Sequence, residues 1–157
     1  MGRLPTERTS LLTAEGIRLG RTAASRADAI DQCGRVLLEL GAVEADYLAA
    51  MHEREESLST YIGENVAIPH GTDQSRQYVK RTTLVVLQFP DGVEWGPGNT
   101  VNLCVGIAAN GSEQVGILSA LAQVLMDGEK AAQLRQATDA GTVLNLLQSI
   151  DEERDQP

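Results

Sequence analysis

Val101-Asn102-Leu103-Cys104-Val105-Gly106-Ile107-Ala108-Ala109 is almost unbroken in apolar residues and stops at the small polar turn Asn110-Gly111-Ser112. A strand covered on both faces reads this way, because neither set of alternating side chains meets water. Upstream, Thr83 to Phe89 is rich in β-branched and apolar residues and closes at the turn signal Pro90-Asp91-Gly92, before a short extended piece from Val93 to Trp95. A hairpin-like excursion is expected there. Earlier still, Val66-Ala67-Ile68 is a short apolar run halted by Pro69, which puts His70 and Gly71 at a strand end.

Helical spacing surrounds these runs. Ser25 stands three residues before Asp28, a capping-box-like start, and Ile30, Cys33, Leu37 and Leu40 then share one face until Gly41 stops the helix. A second helix is predicted from about Glu44 to Glu56, with Tyr47, Leu48 and Met51 inward and His52, Glu53, Arg54 and Glu55 crowding its end. From Glu113, the residues Val115, Leu118, Leu121, Ala122 and Leu125 mark a helix ending near Asp127-Gly128. Ala131 and Leu134 mark a short helix, and Val143, Leu146, Leu147 and Ile150 another, before a charged tail, Asp151 to Pro157, expected to fray. Strands interleaved with helices on two sides of a buried sheet predict a three-layer α/β domain.

The 157 residues match one compact domain, and with aromatics at 3% its core must come from Ala, Leu, Val and Ile. A net charge of -9 repels a phosphate backbone, so nucleic-acid binding is not expected. No apolar run is long enough to span a membrane and the N-terminus lacks a secretory core, so a cytoplasmic chain without direct membrane insertion is expected. Cys33 and Cys104, far apart in sequence, indicate neither a disulfide framework nor a thiolate metal site, and both read as core.

One of the two histidines, His70, is flanked by Pro69, which rigidifies the approach, and Gly71, which lets a phosphoryl group or a partner's backbone come close. Neutral imidazole carries a lone pair near physiological pH and can form a phosphoramidate. Glu64 could orient or tune that ring, and the forked donors of Arg54 could face a dianionic phosphoryl group. Taken alone, each residue also has a plainer reading: a structural histidine, a loop carboxylate, and a solvated charge among Glu53, Glu55 and Glu56. His52 reads as exposed and incidental.

The run from Arg54 through Glu55-Glu56-Ser57-Leu58-Ser59-Thr60-Tyr61-Ile62-Gly63-Glu64-Asn65-Val66-Ala67-Ile68-Pro69-His70-Gly71-Thr72 resembles the signature of mannitol/fructose-type enzyme IIA domains of the bacterial sugar phosphotransferase system (PTS). There a helix-ending R-E leads to T-Y-[LI]-G-E and then to [AV]-[IV]-P-H-G-T. The similarity continues through Gln88-Phe89-Pro90-Asp91-Gly92-Val93 and Val105-Gly106-Ile107-Ala108-Ala109, and it spans the chain from about Leu19 to Leu147. It implies a three-layer α/β/α sandwich with a mixed central sheet of roughly five strands. One such domain would cover residues 1–157, with flexible ends at 1–8 and 152–157.

The resemblance also implies a chemistry. His70 would take a phosphoryl group from the phosphohistidine of the carrier HPr and pass it to a cysteine of a IIB domain, in series with a membrane IIC component, for uptake of mannitol or a related sugar. Glu64 and Arg54 would stand near the phosphoryl pocket, and no cofactor or metal would be needed. Relatives usually carry a second histidine in an N-E-H-like triplet, whereas here the triplet is Ser112-Glu113-Gln114. Gln114 can donate an amide N–H but carries no positive charge, so its hold on a phosphoryl oxygen is expected to be weaker and less dependent on pH. Amides of the following helix could share the load. An alternative expectation keeps the fold and His70 but makes its phosphorylation state a signal to a transporter, kinase or transcription regulator. A non-phosphorylated module of an anion transporter is disfavoured by the intact Arg54, Glu64 and His70.

Overall fold

The computed structural model describes residues 11–110 and 113–154. In chain order the elements are β1 (Ile17–Arg18), α1 (Arg26–Glu39), α2 (Asp46–Ser57), β2 (Tyr61–Gly63), β3 (Val66–Ala67), β4 (Thr83–Gly96), β5 (Asn99–Ala108), α3 (Glu113–Leu125), α4 (Gly128–Gln136) and α5 (Ala140–Arg154). The five strands form one mixed sheet in the order β1-β4-β5-β3-β2. β1 runs parallel to β4 and β3 parallel to β5, while β4–β5 and β2–β3 are antiparallel.

The unbroken apolar composition of β4 and β5 has the expected cause. Leu84, Val86, Leu103, Val105 and Ile107 face a core shared with α3, α4 and α5, and Val85, Leu87, Phe89, Cys104 and Ala108 face a second core under α1 and α2. Strand period puts alternate residues on opposite faces, so both sets must be apolar in a three-layer sandwich. α1 rides close on β5: a Cβ on Gly106 would stand 3.2 Å from Cys33 Cβ and 2.8 Å from Val85 Cγ2. The predicted helix starts hold, with the Asp28 N–H donating to Ser25 Oγ at 3.1 Å and the Asp28 carboxylate accepting from the Ala24 N–H at 2.9 Å.

Two expectations change. Pro90-Asp91-Gly92 does not close a hairpin: β4 continues through it with a register shift between Gln88 and Val93, and the turn to β5 comes at Pro97-Gly98. Asn102 explains the continuity, because its Nδ2 donates to the carbonyls of Phe89 and Pro90 and holds the irregular stretch against β5. Cys33 and Cys104 are not isolated from each other, since α1 lays the Cys33 thiol against that of Cys104. Burial pushes the Cys104 thiol well above its ordinary pKa, and the Cys33 contact adds to this. Of the ends expected to be flexible, 1–8 and 152–157, residues 1–8 and 155–157 lie outside the described residues, and the α5 backbone runs on to Arg154.

Candidate active site

β3 has only two residues in the ladder, and its pairing sets where His70 stands. Val66 and Ala67 lie beside Leu103 and Cys104, and the chain keeps this parallel register far enough for His70 to bridge Ile107. Pro69 has no N–H to offer, but its carbonyl accepts from the Ile107 N–H at 2.9 Å. His70 therefore sits at the C-terminal end of a strand, beside the buried end of β5.

The ring is almost covered, with 4% of the residue exposed, where an open side chain was expected. Its Nδ1 lies 2.8 Å from the Ile68 carbonyl, which only an N–H can satisfy, so the proton belongs on Nδ1 and the lone pair on Nε2. Nε2 makes no hydrogen bond among the described residues, and it is not one of their sealed, partnerless polar atoms, which are Gln32 Oε1 and Arg76 Nε. Burial is the largest influence on the imidazole and lowers its pKa below the usual 6.5. The Ile68 carbonyl opposes this, the Arg54 charge adds to it, and the charges of Glu55 and Asp73 oppose it. The sum favours the neutral ring, which is the nucleophilic form.

Tyr47 fixes the turn that follows. Its hydroxyl accepts from the Gly71 N–H at 2.9 Å and donates to the Ile107 carbonyl at 2.9 Å, and burial pushes its pKa up to about 12. The ring presses so closely on Gly71 that a Cβ there would lie 2.6 Å from Tyr47 Cε1 and 2.3 Å from Ser75 Oγ. Glycine is required at this position by close approach, independently of any conformational freedom.

Immediately beyond His70, a pocket of about 270 Å³ is lined by Glu53, Arg54, Ser57, Gly71, Thr72, Asp73, Gln74 and Gln114. Arg54 and Gln114 thus converge on one hollow at the strand end. The Arg54 guanidinium also donates to the Leu58 carbonyl at the C-terminus of α2, where a cation suits the exposed carbonyls. Gln114 stands in the first turn of α3, and Glu113 beside it accepts from Thr82 Oγ1 at 2.7 Å, which ties that turn to the start of β4. Ser112 lies outside the described residues. Leu58, whose carbonyl accepts from Arg54, and Val115, next in sequence to Gln114, are exposed apolar side chains at 68% and 71%.

Glu64 is not brought to this pocket. With Asn65 it makes a two-residue turn between Gly63 and Val66, at the opposite end of β3 from His70. The four steps from Val66 to His70 alone span about 13 Å of extended chain. The Glu64 carboxylate lies 3.9 Å from Arg135 Nη1, which donates to the Glu64 carbonyl at 2.6 Å. His52 does not line the pocket; it is half-buried with Nε2 3.4 Å from Asp31 Oδ1, a contact between α2 and α1. The buried carboxylate belongs instead to Glu55, 4% exposed and read from sequence as one of a solvated group. A signal for it was present: Tyr47, Met51 and Glu55 recur every four residues and so share the inward face of α2. Among the described residues, no group of three or more His, Cys, Asp or Glu side chains could hold a metal ion.

The fold is that of a three-layer α/β protein, and its strand-end histidine stands beside a pocket lined by an arginine. The chain belongs to the EIIA 2 family of the phosphoenolpyruvate-dependent sugar phosphotransferase system, which it matches over residues 10–150, and it is accordingly a phosphotransferase component. It is 37% identical over 141 residues to the mannitol-specific phosphotransferase enzyme IIA component of Geobacillus stearothermophilus, covering 90% of this chain and 97% of that one. It is 40% identical over 136 residues to the multiphosphoryl transfer protein of Escherichia coli O157:H7, covering 87% of this chain but only 36% of that longer protein. Among solved structures it resembles enzyme IIA mannitol in its complex with phosphorylated IIB mannitol from Escherichia coli, with a TM-score of 0.82, 36% identity and coverage of 88% and 99% of the two chains. No helix of the described residues is long and apolar enough to cross a membrane.

Proposed function

We propose that His70 Nε2 is the phosphoryl acceptor, loaded by the phosphohistidine of HPr and discharged onto a cysteine of a IIB partner, in the cytoplasmic part of an uptake route for mannitol or a related sugar completed by a membrane IIC component. The observation that carries this reading is the anchoring of Nδ1 by the Ile68 carbonyl beside the Arg54–Gln114 pocket, which leaves Nε2 as the nitrogen with a usable lone pair. In the first step that lone pair attacks phosphorus while the donor's P–N bond breaks and its electron pair returns to the donor imidazole. In the second the IIB thiolate attacks, and the pair returns to Nε2. Both ends of the first exchange are phosphoramidates, so little driving force is needed and the protein's work is positioning and charge stabilisation.

Arg54 meets the phosphoryl charge with a forked cation, and Gln114 adds a neutral amide donor. Glu64, held by Arg135, takes no part in the exchange. The exposed Leu58 and Val115 give a partner apolar anchors beside the pocket, and the acidic chain suits a partner carrying Arg or Lys around its own phosphohistidine. The names of the similar mannitol-specific components support the choice of sugar, and the complex of a related IIA with IIB supports the acceptor.

A regulatory role for the same phosphorylation is favoured by one observation, the neutral Gln114 at the pocket, which holds the phosphoryl group less firmly than a charged histidine. Incubation with phosphoenolpyruvate, enzyme I and HPr, followed by intact mass at neutral and acid pH, tests the core reading. An acid-labile phosphate is expected on wild type and none on His70→Ala; phosphate retained by the variant removes His70 from the role. Adding a IIB domain separates transport from signalling, since a transport component discharges onto the IIB thiol within the turnover time of the chain.

A further inference from the structure

Glu55 is buried at the end of α2 and accepts three hydrogen bonds while donating none: from the Thr60 N–H at 3.0 Å, from Thr60 Oγ1, and from Trp95 Nε1 at 3.0 Å. That is the pattern of a carboxylate. A buried charge is costly to keep, and this one is compensated by hydrogen bonds. Its location ties three pieces of the site together. Arg54 is its neighbour in sequence and points into the pocket while Glu55 points inward. Thr60, held by Glu55 through both backbone and side chain, gives its carbonyl to the Ile68 N–H at 3.0 Å. Ile68 in turn gives its carbonyl to His70 Nδ1 at 2.8 Å.

We propose that Glu55 is a positioning residue for the phosphoryl-accepting histidine, acting through the links Glu55–Thr60–Ile68–His70 and through its fixed negative charge. The proposal rests on the reading of His70 as acceptor and adds to it the group that sets the ring's orientation and basicity. The links fix where Thr60 and Ile68 stand, and hence which nitrogen of His70 keeps the proton. The charge works against the burial and the Arg54 cation that hold the imidazole neutral, and Asp73 acts in the same sense as Glu55 from the turn after Gly71. The result is a ring neutral enough to attack yet basic enough to hold phosphorus.

The test uses the full chain and two readouts, the His70 ring titration followed by NMR and the rate of phosphorylation by phospho-HPr, with a thermal melt to establish folding. Glu55→Gln is nearly isosteric and removes the charge. His70 is then expected to titrate at lower pH than in wild type, and the transfer rate to fall about tenfold or more, as displacement of a reacting group does. Trp95→Phe keeps the charge but removes its indole donor, so the less compensated carboxylate should move the His70 titration the opposite way, upward. A folded Glu55→Gln with an unchanged titration and a rate within about twofold of wild type overturns the proposal. Should that variant not fold, a folded Trp95→Phe matching wild type in both readouts overturns it equally. The titration requires no phosphate, so a failure of His70 to be phosphorylated at all remains distinguishable from a failure of the Glu55 linkage.

Discussion

The two ends of β3 are held by different physics. At the N-terminal end Glu64 and Asn65 adopt φ of 54° and 60°, the left-handed pair of a two-residue hairpin turn, and the contacts there are exposed. Asn65 gives its carbonyl to the Asn102 N–H at 2.8 Å and its side-chain amide to Asn102 Oδ1 at 2.9 Å, while Arg135 reaches in from α4. At the C-terminal end Pro69, His70 and Gly71 are buried, and each is bonded or packed against β5, the Ile68 carbonyl or Tyr47. Turn chemistry and exposure compensate the first end; at the second the backbone and His70 Nδ1 are held by protein partners. An unmade hydrogen bond is therefore far more costly at the His70 end, and that is where precise placement of a nucleophile can be maintained.

The largest break in this contrast should come from Gly71→Ala. The new methyl would stand 2.3 Å from Ser75 Oγ and 2.6 Å from the Tyr47 ring, so either the ring or the turn must move. A loss of about 1–3 kcal/mol in urea unfolding is expected, as for other overpacked sites. Phosphate incorporation should fall with it, because Tyr47 links Gly71 to the Ile107 carbonyl that flanks His70. A variant as stable and as readily phosphorylated as wild type would show the His70 end to be loosely packed after all.

A smaller effect follows from pH. The folded His70 has its pKa depressed, chiefly by burial, whereas the unfolded imidazole titrates near 6.5. Above that value both states are neutral and His70 contributes no pH dependence. As pH falls below it the unfolded chain binds a proton before the folded one, so this histidine lowers stability progressively until the folded pKa is passed. Phosphoryl acceptance should hold from neutral pH to below 6.5 and drop only once the folded ring protonates. His70→Gln should remove the histidine's share of the stability slope, and an acid limb centred above 6.5 would contradict the burial seen here.

Much of this contrast was legible in the residues, and what was not has physical causes. Val66-Ala67-Ile68-Pro69 announced a strand that must stop, because proline cannot extend a ladder, and His70 stands where that reading puts it. The apolar run of β5 announced burial on both faces. Arg54 is singled out by its forked donors as well as by resemblance, Gln114 by resemblance alone, and the fold brings both to one pocket. Glu64 is singled out on the same two grounds as Arg54, but its distance from His70 depends on β3 running parallel to β5 with the turn at the far end, a tertiary fact no spacing reveals. Glu55 was hidden by its neighbours: in a run of charged residues only helical phase separates the inward carboxylate from the solvated ones. Pro90-Asp91-Gly92 misled because a strong local turn signal yields when a cross-strand amide, here from Asn102, satisfies the carbonyls it would otherwise leave free.

The smallest effect should come from Glu64→Gln, and for that reason it sharpens the comparison most. The carboxylate is 3.9 Å from Arg135 Nη1 and 41% exposed, so its ion pair is screened and contributes about 0.5 kcal/mol or less. The stronger contact, from Arg135 to the Glu64 carbonyl, survives the substitution because it uses only the backbone. Turn geometry survives as well, since glutamine meets the same cost at positive φ as glutamate does. Unfolding free energy within about 0.5 kcal/mol of wild type, and phosphate transfer to His70 within about twofold, are the expected results of urea titration and intact-mass kinetics. A tenfold loss of transfer with stability unchanged would mean that Glu64 acts on the exchange itself, and the separation of β3 into a structural end and a chemical end would have to be abandoned.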